Sequence, residues 1–239
     1  MTTSDFDYES IPVGYYDAVF HRGSGVQSKW HRLKFARIRD RMRQPEQHLD
    51  IGCGPGTFIG TLPDRGVSVG VDISQVQLDY AGRNYTGQSR RFVAIAPGAL
   101  PFADNTFDCV TLVELIEHLT PADTLTTLKE AHRVLRPGGQ LLVSTPNYRS
   151  LWPLIEGLLN RLGKVDYSDQ HINKFNRKRL FSLLQECGFG QISVQAYQLA
   201  APFAAALGWR LADSVARLEP EWLTSRAGLL LLAEGEKKP

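Results

Sequence analysis

From His48 onward the apolar residues fall in short runs, and between most runs lie stretches whose apolar positions recur every three or four residues. Runs of the first kind suit buried strands, and stretches of the second kind suit helices with one face on a core. The pattern predicts strands at His48–Ile51, Val67–Val71, Arg91–Ile95, Cys109–Val113 and Gln140–Ser144, separated by helices such as Leu125–Leu135. Ahead of them Gln27–Met42 reads as a helix with Trp30, Leu33, Ile38 and Met42 on one face, and the segment through Gly25 reads as irregular. Beyond Pro146 the order loosens. A helix at Leu151–Leu162 is followed by a polar loop through Asn173, a helix at Arg177–Cys187, a strand at Gln191–Leu199, a helix at Pro202–Leu218 and a last strand at Ala227–Ala233.

Strand and helix in alternation predict an α/β protein with a doubly wound, mostly parallel sheet of about seven strands and helices on both faces. We expect a single domain over residues 1–239, with an N-terminal cap segment at 1–43 and an inserted cap at 147–173. On the helix Pro202–Leu218 the residues Phe203, Leu207, Trp209, Leu211 and Val215 are expected to face the core. Its polar face carries few Lys or Arg, which argues against attachment to a membrane.

Composition alters this picture little. A net charge of +2 over 239 residues does not call for nucleic acid. No apolar stretch approaches the ~20 residues that span a bilayer, and MTTSDFDYES has neither the basic nor the apolar part of a signal peptide. Cys53, Cys109 and Cys187 are scattered and odd in number, so we expect free thiols and a reducing cytoplasm.

The chemistry concentrates in Asp50-Ile51-Gly52-Cys53-Gly54-Pro55-Gly56, where a strand runs into three glycines at alternate positions before the helical start at Phe58. Glycine permits the tight turn and lets backbone N–H groups approach a ligand. Asp72 ends the next predicted strand, twenty residues after Gly52, where a carboxylate suits ribose hydroxyls. The spacing is GxGxG rather than the GxGxxG dinucleotide fingerprint, which disfavours a nicotinamide-dependent oxidoreductase.

Together with Leu100-Pro101-Phe102, Phe107-Asp108, Glu117-His118-Leu119 and Leu135-Arg136-Pro137-Gly138-Gly139, these motifs resemble in order and spacing those of class I S-adenosylmethionine-dependent methyltransferases. The resemblance runs from Glu46 to Thr145 and more loosely to Phe189. It implies a Rossmann-like sheet and S-adenosylmethionine as cofactor. It assigns to that cofactor Asp50, Gly52, Cys53, Gly54 and Gly56 of the turn, Asp72 and Ile73, Leu100, and Glu114, which begins the segment facing the methyl group. The chain departs from the family where adenine is held. Ala96 stands where an Asp usually accepts from the amino group, and Pro97, without an N–H, stands next to it. Apolar contact from Leu100 or Phe102, or Asp104 as a substitute acceptor, is expected instead.

A second constellation is Glu114-Leu115-Ile116-Glu117-His118, joined downstream by His171. Glu114, Glu117 and His118 lie three and four apart, so one helical turn can bring them together. Two carboxylates and two imidazoles suit Mg²⁺ or Mn²⁺ with open positions for substrate oxygens. This arrangement is similar to the metal-dependent O-methyltransferases of ubiquinone biosynthesis and to those acting on the 2′-hydroxyl at small-RNA 3′ ends. The alternative keeps His118 or His171 as a metal-free base. The reading is O-methylation of a small hydroxylated acceptor. Methylation of RNA 3′ ends and a non-catalytic S-adenosylmethionine-binding protein are the rivals.

Overall fold

The computed structural model describes residues 12–162 and 171–238. Seven strands form one sheet in the order β3-β2-β1-β4-β5-β7-β6. They are β1 (Gln47–Ile51), β2 (Val67–Asp72), β3 (Arg90–Ala94), β4 (Phe107–Val113), β5 (Leu135–Pro146), β6 (Phe189–Tyr197) and β7 (Leu230–Lys237). The first five run parallel, and β7 is antiparallel to both of its neighbours, β5 and β6. The strand order reverses between β1 and β4. In open α/β sheets the crevice beyond the carboxyl ends at that point is where ligands bind.

The central strands are buried on both faces, as expected of a sheet covered by helices on both sides. Against one face pack Leu128, Ala131 and Val134 of α5 (Pro121–Val134) and Leu180 and Leu184 of α7 (Arg177–Glu186), meeting Leu49, Val110, Leu141 and Leu231. Against the other pack Phe35 and Ile38 of α2 (Gly25–Arg39) and Phe58 of α3 (Thr57–Gly60), meeting Cys109, Leu142, Leu230 and Leu232. Thr120 caps α5 by accepting from the Asp123 N–H, and Pro121 fills its first turn, where a missing N–H costs nothing.

Three expectations need correction. The segment before Gly25 is not irregular throughout, because α1 spans Tyr15–His21. Its buried Asp17 accepts hydrogen bonds from the hydroxyls of Tyr80 and Tyr85 on α4 (Gln75–Tyr85), a tie that no periodicity reveals. Residues 1–11 of the expected N-terminal cap lie outside the described residues, as do 163–170 of the expected inserted cap. The helix expected at Pro202–Leu218 is two helices, α8 (Ala201–Ala204) and α9 (Trp209–Leu218), followed by α10 (Glu221–Ala227). Gly208 separates the first two. Phe203, Leu207 and Leu211 are exposed, Trp209 and Val215 are half-buried, and full burial is confined to residues such as Ala201, Ala205 and Ala212. The three thiols are free and buried.

Candidate functional site

The turn after β1 is set by backbone. Gly52, Gly54 and Gly56 all have positive φ, at 74°, 50° and 75°, a region closed to most side chains. Their surroundings differ. A Cβ on Gly56 would stand 2.8 Å from the Phe92 ring and 2.9 Å from the Ala81 methyl, and one on Gly52 would stand 2.7 Å from Leu115. A Cβ on Gly54 would meet nothing within 4 Å. Gly54 therefore faces open space at the crevice, and the outer two glycines hold the turn against α4, β3 and the segment after β4.

Asp72 closes the same turn from β2. Its Oδ2 accepts from the Gly54 N–H at 2.8 Å and its Oδ1 from the Ser74 N–H at 2.9 Å. The carboxylate is thereby held in one orientation with lone pairs to spare. Next to it Ile73 is 55% exposed, an uncommon position for a large apolar side chain at the mouth of a crevice. The buried hydroxyls of Thr57 and Ser74, flanking the turn and Asp72, have no hydrogen-bond partner among the described residues. Buried polar atoms are rarely left so, which points to a polar ligand beside them. An oriented carboxylate, an open glycine and two unpartnered hydroxyls fit a ribose-bearing cofactor with a charged amino-acid tail.

Beneath the turn Asp50 is buried and accepts from Thr111 Oγ1 at 2.5 Å. His48 Nε2 lies 2.9 Å from the same hydroxyl, and His48 Nδ1 lies 3.2 Å from Ser68 Oγ. Because Thr111 gives its proton to Asp50, His48 donates from Nε2 and accepts at Nδ1, the neutral imidazole. Burial holds His48 down at about 3. Burial also raises Asp50 to about 7, against the lowering effect of the Thr111 hydrogen bond and with the help of the nearby Asp72 charge.

Across the crevice Glu114 follows β4 with φ 54°, an uncommon conformation for a residue with a side chain. Its carboxylate accepts from Ser144 Oγ at 2.6 Å and faces the buried Lys34 of α2 at 3.8 Å. A 3₁₀ turn follows, Ile116–His118. Glu117 is 1% exposed; its Oε2 accepts from Thr145 Oγ1 at 2.9 Å, while its Oε1 is buried without a hydrogen-bond partner. Burial, reinforced by the charge on Glu114, pushes its carboxyl well above the usual range. The Glu117 carbonyl accepts from the Asn173 N–H, which draws the 171–173 segment onto the turn. His118 and His171 then stand with ring centroids 5.0 Å apart. One ligand atom from each of Glu117, His118 and His171 lies within 4.8 Å of the others.

Behind His171 stands a residue the sequence reading passed over. Glu156 of α6 (Trp152–Leu162) forms a short hydrogen bond with His171 Nδ1 and accepts from Tyr148 OH at 2.8 Å. Burial works to raise the Glu156 carboxyl, yet the bonds from His171 and Tyr148 outweigh it and hold the group below its ordinary value.

With this geometry in place, similarity to known proteins becomes informative. A family model described as a methyltransferase domain matches residues 49–143. A demethylmenaquinone methyltransferase of Symbiobacterium thermophilum is 35% identical over 216 residues, covering 77% of this chain and 84% of that protein. The chain belongs to the class I S-adenosylmethionine-dependent methyltransferases. A ubiquinone/menaquinone biosynthesis C-methyltransferase of Desulfotalea psychrophila is 30% identical over 55% of this chain, a match spanning only about half (54%) of that relative. A solved Thermotoga maritima structure, described as an S-adenosylmethionine-dependent methyltransferase and possible histamine N-methyltransferase, shares the fold. It has a TM-score of 0.63 and 20% identity, and covers 94% of this chain and 100% of that one.

The methyltransferase frame sorts the residues singled out in the sequence. Gly52, Cys53, Gly54, Gly56, Asp72 and Ile73 gather on one side of the crevice, with Asp50 buried below them. Glu117, His118 and His171 gather on the other. Glu114 lies near them but outside their group of ligand atoms, because Ser144 and Lys34 take its carboxylate, so the expected four-residue metal set is three residues here. At the adenine end Ala96 and Pro97 are exposed. Asp104 is paired with Arg133 at 2.7 Å rather than standing in as an acceptor. Leu100 is buried with the core and its N–H is taken by Glu130, while Phe102 meets Phe107 edge-on. That leaves Ile73 as the exposed apolar surface beside Asp72. Glu156 had one signal in the sequence, as the only acid in the apolar helix WPLIEGLLNRL.

Proposed function

We propose that this methyltransferase acts on a small acceptor carrying a phenolic or enolic hydroxyl, seated against His118 and His171, with His171 as the base. The observation that carries the reading is the hydrogen bond that the Glu156 carboxylate accepts from His171 Nδ1, with the His118 ring beside it. S-adenosylmethionine supplies an already activated methyl group on a sulfonium. Asp72 would accept from its ribose hydroxyls, the Gly52–Gly56 turn would admit its amino-acid tail, and Ile73 would lie against its adenine. His171 takes the acceptor's proton at Nε2, and Glu156 holds the imidazole in place and stabilises its cationic form, the division of labour common to carboxylate–histidine pairs. The names of the quinone-biosynthesis relatives support a hydroxylated ring as the acceptor. They also favour a second outcome on the same acceptor. Once its oxygen is deprotonated, such a ring can take the methyl on carbon as well as on oxygen.

A divalent ion is the second reading, supported by the three close ligand atoms and the unpartnered Glu117 Oε1. Mixed oxygen and imidazole donors suit Mg²⁺ or Mn²⁺, which would lower the acceptor hydroxyl's pKa directly.

The test is methyl transfer from ¹³C-methyl-labelled S-adenosylmethionine to a panel of quinols, catechols and RNA 3′ ends, read by NMR. Glu156→Gln is expected to slow turnover about 100-fold, in the range of general-base losses, with S-adenosylhomocysteine affinity unchanged. Equal turnover in that variant would remove the base from His171. Loss of activity in EDTA, restored by Mg²⁺ or Mn²⁺, would move the assignment to the metal. Turnover on RNA alone would replace the small acceptor, and binding without turnover on any of them would favour the non-catalytic rival.

A further inference from the structure

Among the described residues, α8, α9 and the turn between them leave an apolar outer side uncovered, and α10, which packs on β6, exposes one more large apolar side chain. Leu207 is 84% exposed, Leu218 77% and Trp222 63%, with Phe203 and Leu211 also exposed. Lone exposed leucines are ordinary, but this many on three consecutive short helices are not. The layer is firmly built. The Glu219 carboxylate accepts from the N–H groups of Ala200 and Ala201, tying the end of α9 to the start of α8. Asp213 pairs with the buried Lys29 of α2 at 2.8 Å. The exposure is therefore a property of a fixed surface.

Charge indicates what meets that surface. Two of the layer's acids, Asp213 and Glu219, are taken up by those internal bonds. Arg210, Arg217 and Arg226 are exposed, against the exposed Glu221 and the half-exposed Asp213, whose charge Lys29 pairs. On α9 Leu211 and Leu218 are seven residues apart and share a face, and Arg210 and Arg217 form a parallel row beside them. Two arginines are few for the length of chain read as one helix, but both lie exposed beside the leucines, and an apolar stripe flanked in this way suits the plane between headgroups and acyl chains of an anionic bilayer. A second copy of the chain fits less well, because a self-facing contact would bring like-charged arginine rows together.

We propose that the outer side of α8 and α9 docks on the surface of an anionic lipid bilayer. The face continues toward α6. Trp30 bridges Trp152 of α6 at 5.4 Å and Phe203 of α8 at 6.2 Å, and α6 exposes Leu151 just ahead of it and Leu154 within it. The same helix turns Glu156 inward to His171. If the acceptor reading above holds, docking sets the acceptor side of the crevice one helix from the bilayer, within reach of an acceptor dissolved there. The docking itself stands independently of that reading.

The experiment is co-sedimentation of the full chain, with S-adenosylhomocysteine present, on vesicles of phosphatidylglycerol mixed with phosphatidylcholine and on vesicles of phosphatidylcholine alone. Binding to the anionic vesicles is expected, weakening as salt rises. Leu207→Glu and Leu218→Glu should each lower partitioning about tenfold, the scale of one leucine withdrawn from an apolar phase. Arg210→Glu with Arg217→Glu should abolish the preference for anionic lipid. Unchanged S-adenosylhomocysteine affinity in each variant shows that the fold survives. Wild-type protein remaining in the supernatant with both vesicle types would overturn the proposal. So would light scattering that finds a dimer dissociated by Leu218→Glu, which would assign the face to a second copy. Because the readout is partitioning, failure here is distinguishable from failure of the acceptor assignment.

Discussion

The two sides of the crevice are built by different means. On the cofactor side, a run of seven residues, Asp50 to Gly56, makes a turn whose shape follows from three positive φ angles. Asp72 then locks it through backbone N–H groups. On the acceptor side, Glu117, Thr145, Glu156 and His171 come from separate stretches and meet mainly through side chains, with one backbone bond from Asn173 to Glu117. A backbone-built site tolerates change nearby but not within its glycines. A side-chain site tolerates single replacements in the fold and loses chemistry instead. Three perturbations sharpen this contrast.

The largest effect is expected at Gly56. Gly56→Ala places a methyl group 2.8 Å from Phe92 in a backbone conformation unfavourable to alanine. Strain of roughly 1–2 kcal/mol adds to overpacking of roughly 1–3 kcal/mol. Urea unfolding should show a loss near the sum, about 2–5 kcal/mol. Gly54→Ala meets no neighbour, so its stability loss should stay within about 1–2 kcal/mol while S-adenosylhomocysteine binding weakens. Equal unfolding midpoints for the two variants would contradict the distinction drawn between them.

That contrast also explains what could be read from the sequence. Most strand positions emerged because strands covered on both faces leave short apolar runs, and all seven expected strands are present, though β5 begins at Leu135 rather than Gln140. The glycine turn and Asp72 were legible because their geometry is local. The partnership of Glu117, His118 and His171 was legible in part, since two of the three are adjacent. Glu156 was not recognised, because its importance depends on where α6 packs. Glu114 was placed in the wrong company for the same reason: its spacing suits a helical turn, but the chain there makes a left-handed residue and a 3₁₀ turn, and Ser144 and Lys34 claim the carboxylate. The helix at Pro202–Leu218 failed because the pattern cannot say which face of an apolar helix lies outward.

The next effect in size belongs to Asp72. Asp72→Ala releases the Gly54 and Ser74 N–H groups that the carboxylate organises and, under the proposed placement of the cofactor, removes the acceptor for two ribose hydroxyls. Charge-assisted hydrogen bonds are worth roughly 1.5–3 kcal/mol each, so S-adenosylhomocysteine affinity should fall by at least tenfold in calorimetric titration. Unaltered affinity in a folded Asp72→Ala protein would remove Asp72 from the cofactor site.

The smallest effect in the native protein is a cancellation, and it lies under the glycine turn. His48, held down at about 3 against an ordinary 6.5, favours the folded state in its neutral form. Its contribution is complete above pH 6.5 and is lost as pH falls toward 3. Asp50, raised to about 7 from an ordinary 3.8, favours the folded state when protonated. Its contribution is complete below pH 3.8 and is lost as pH rises toward 7. Between 3.8 and 6.5 the two slopes oppose each other, so this pair should leave stability nearly flat with pH. Asp50→Asn keeps an acceptor for Thr111 but removes one slope. Stability of that variant should climb with pH across the window, by up to about 1.4 kcal/mol per unit, relative to the native protein. His48→Gln should tilt the profile the other way. Urea midpoints measured at constant ionic strength decide the matter, and an Asp50→Asn profile parallel to the native one would mean that His48 and Asp50 do not titrate as a compensating pair.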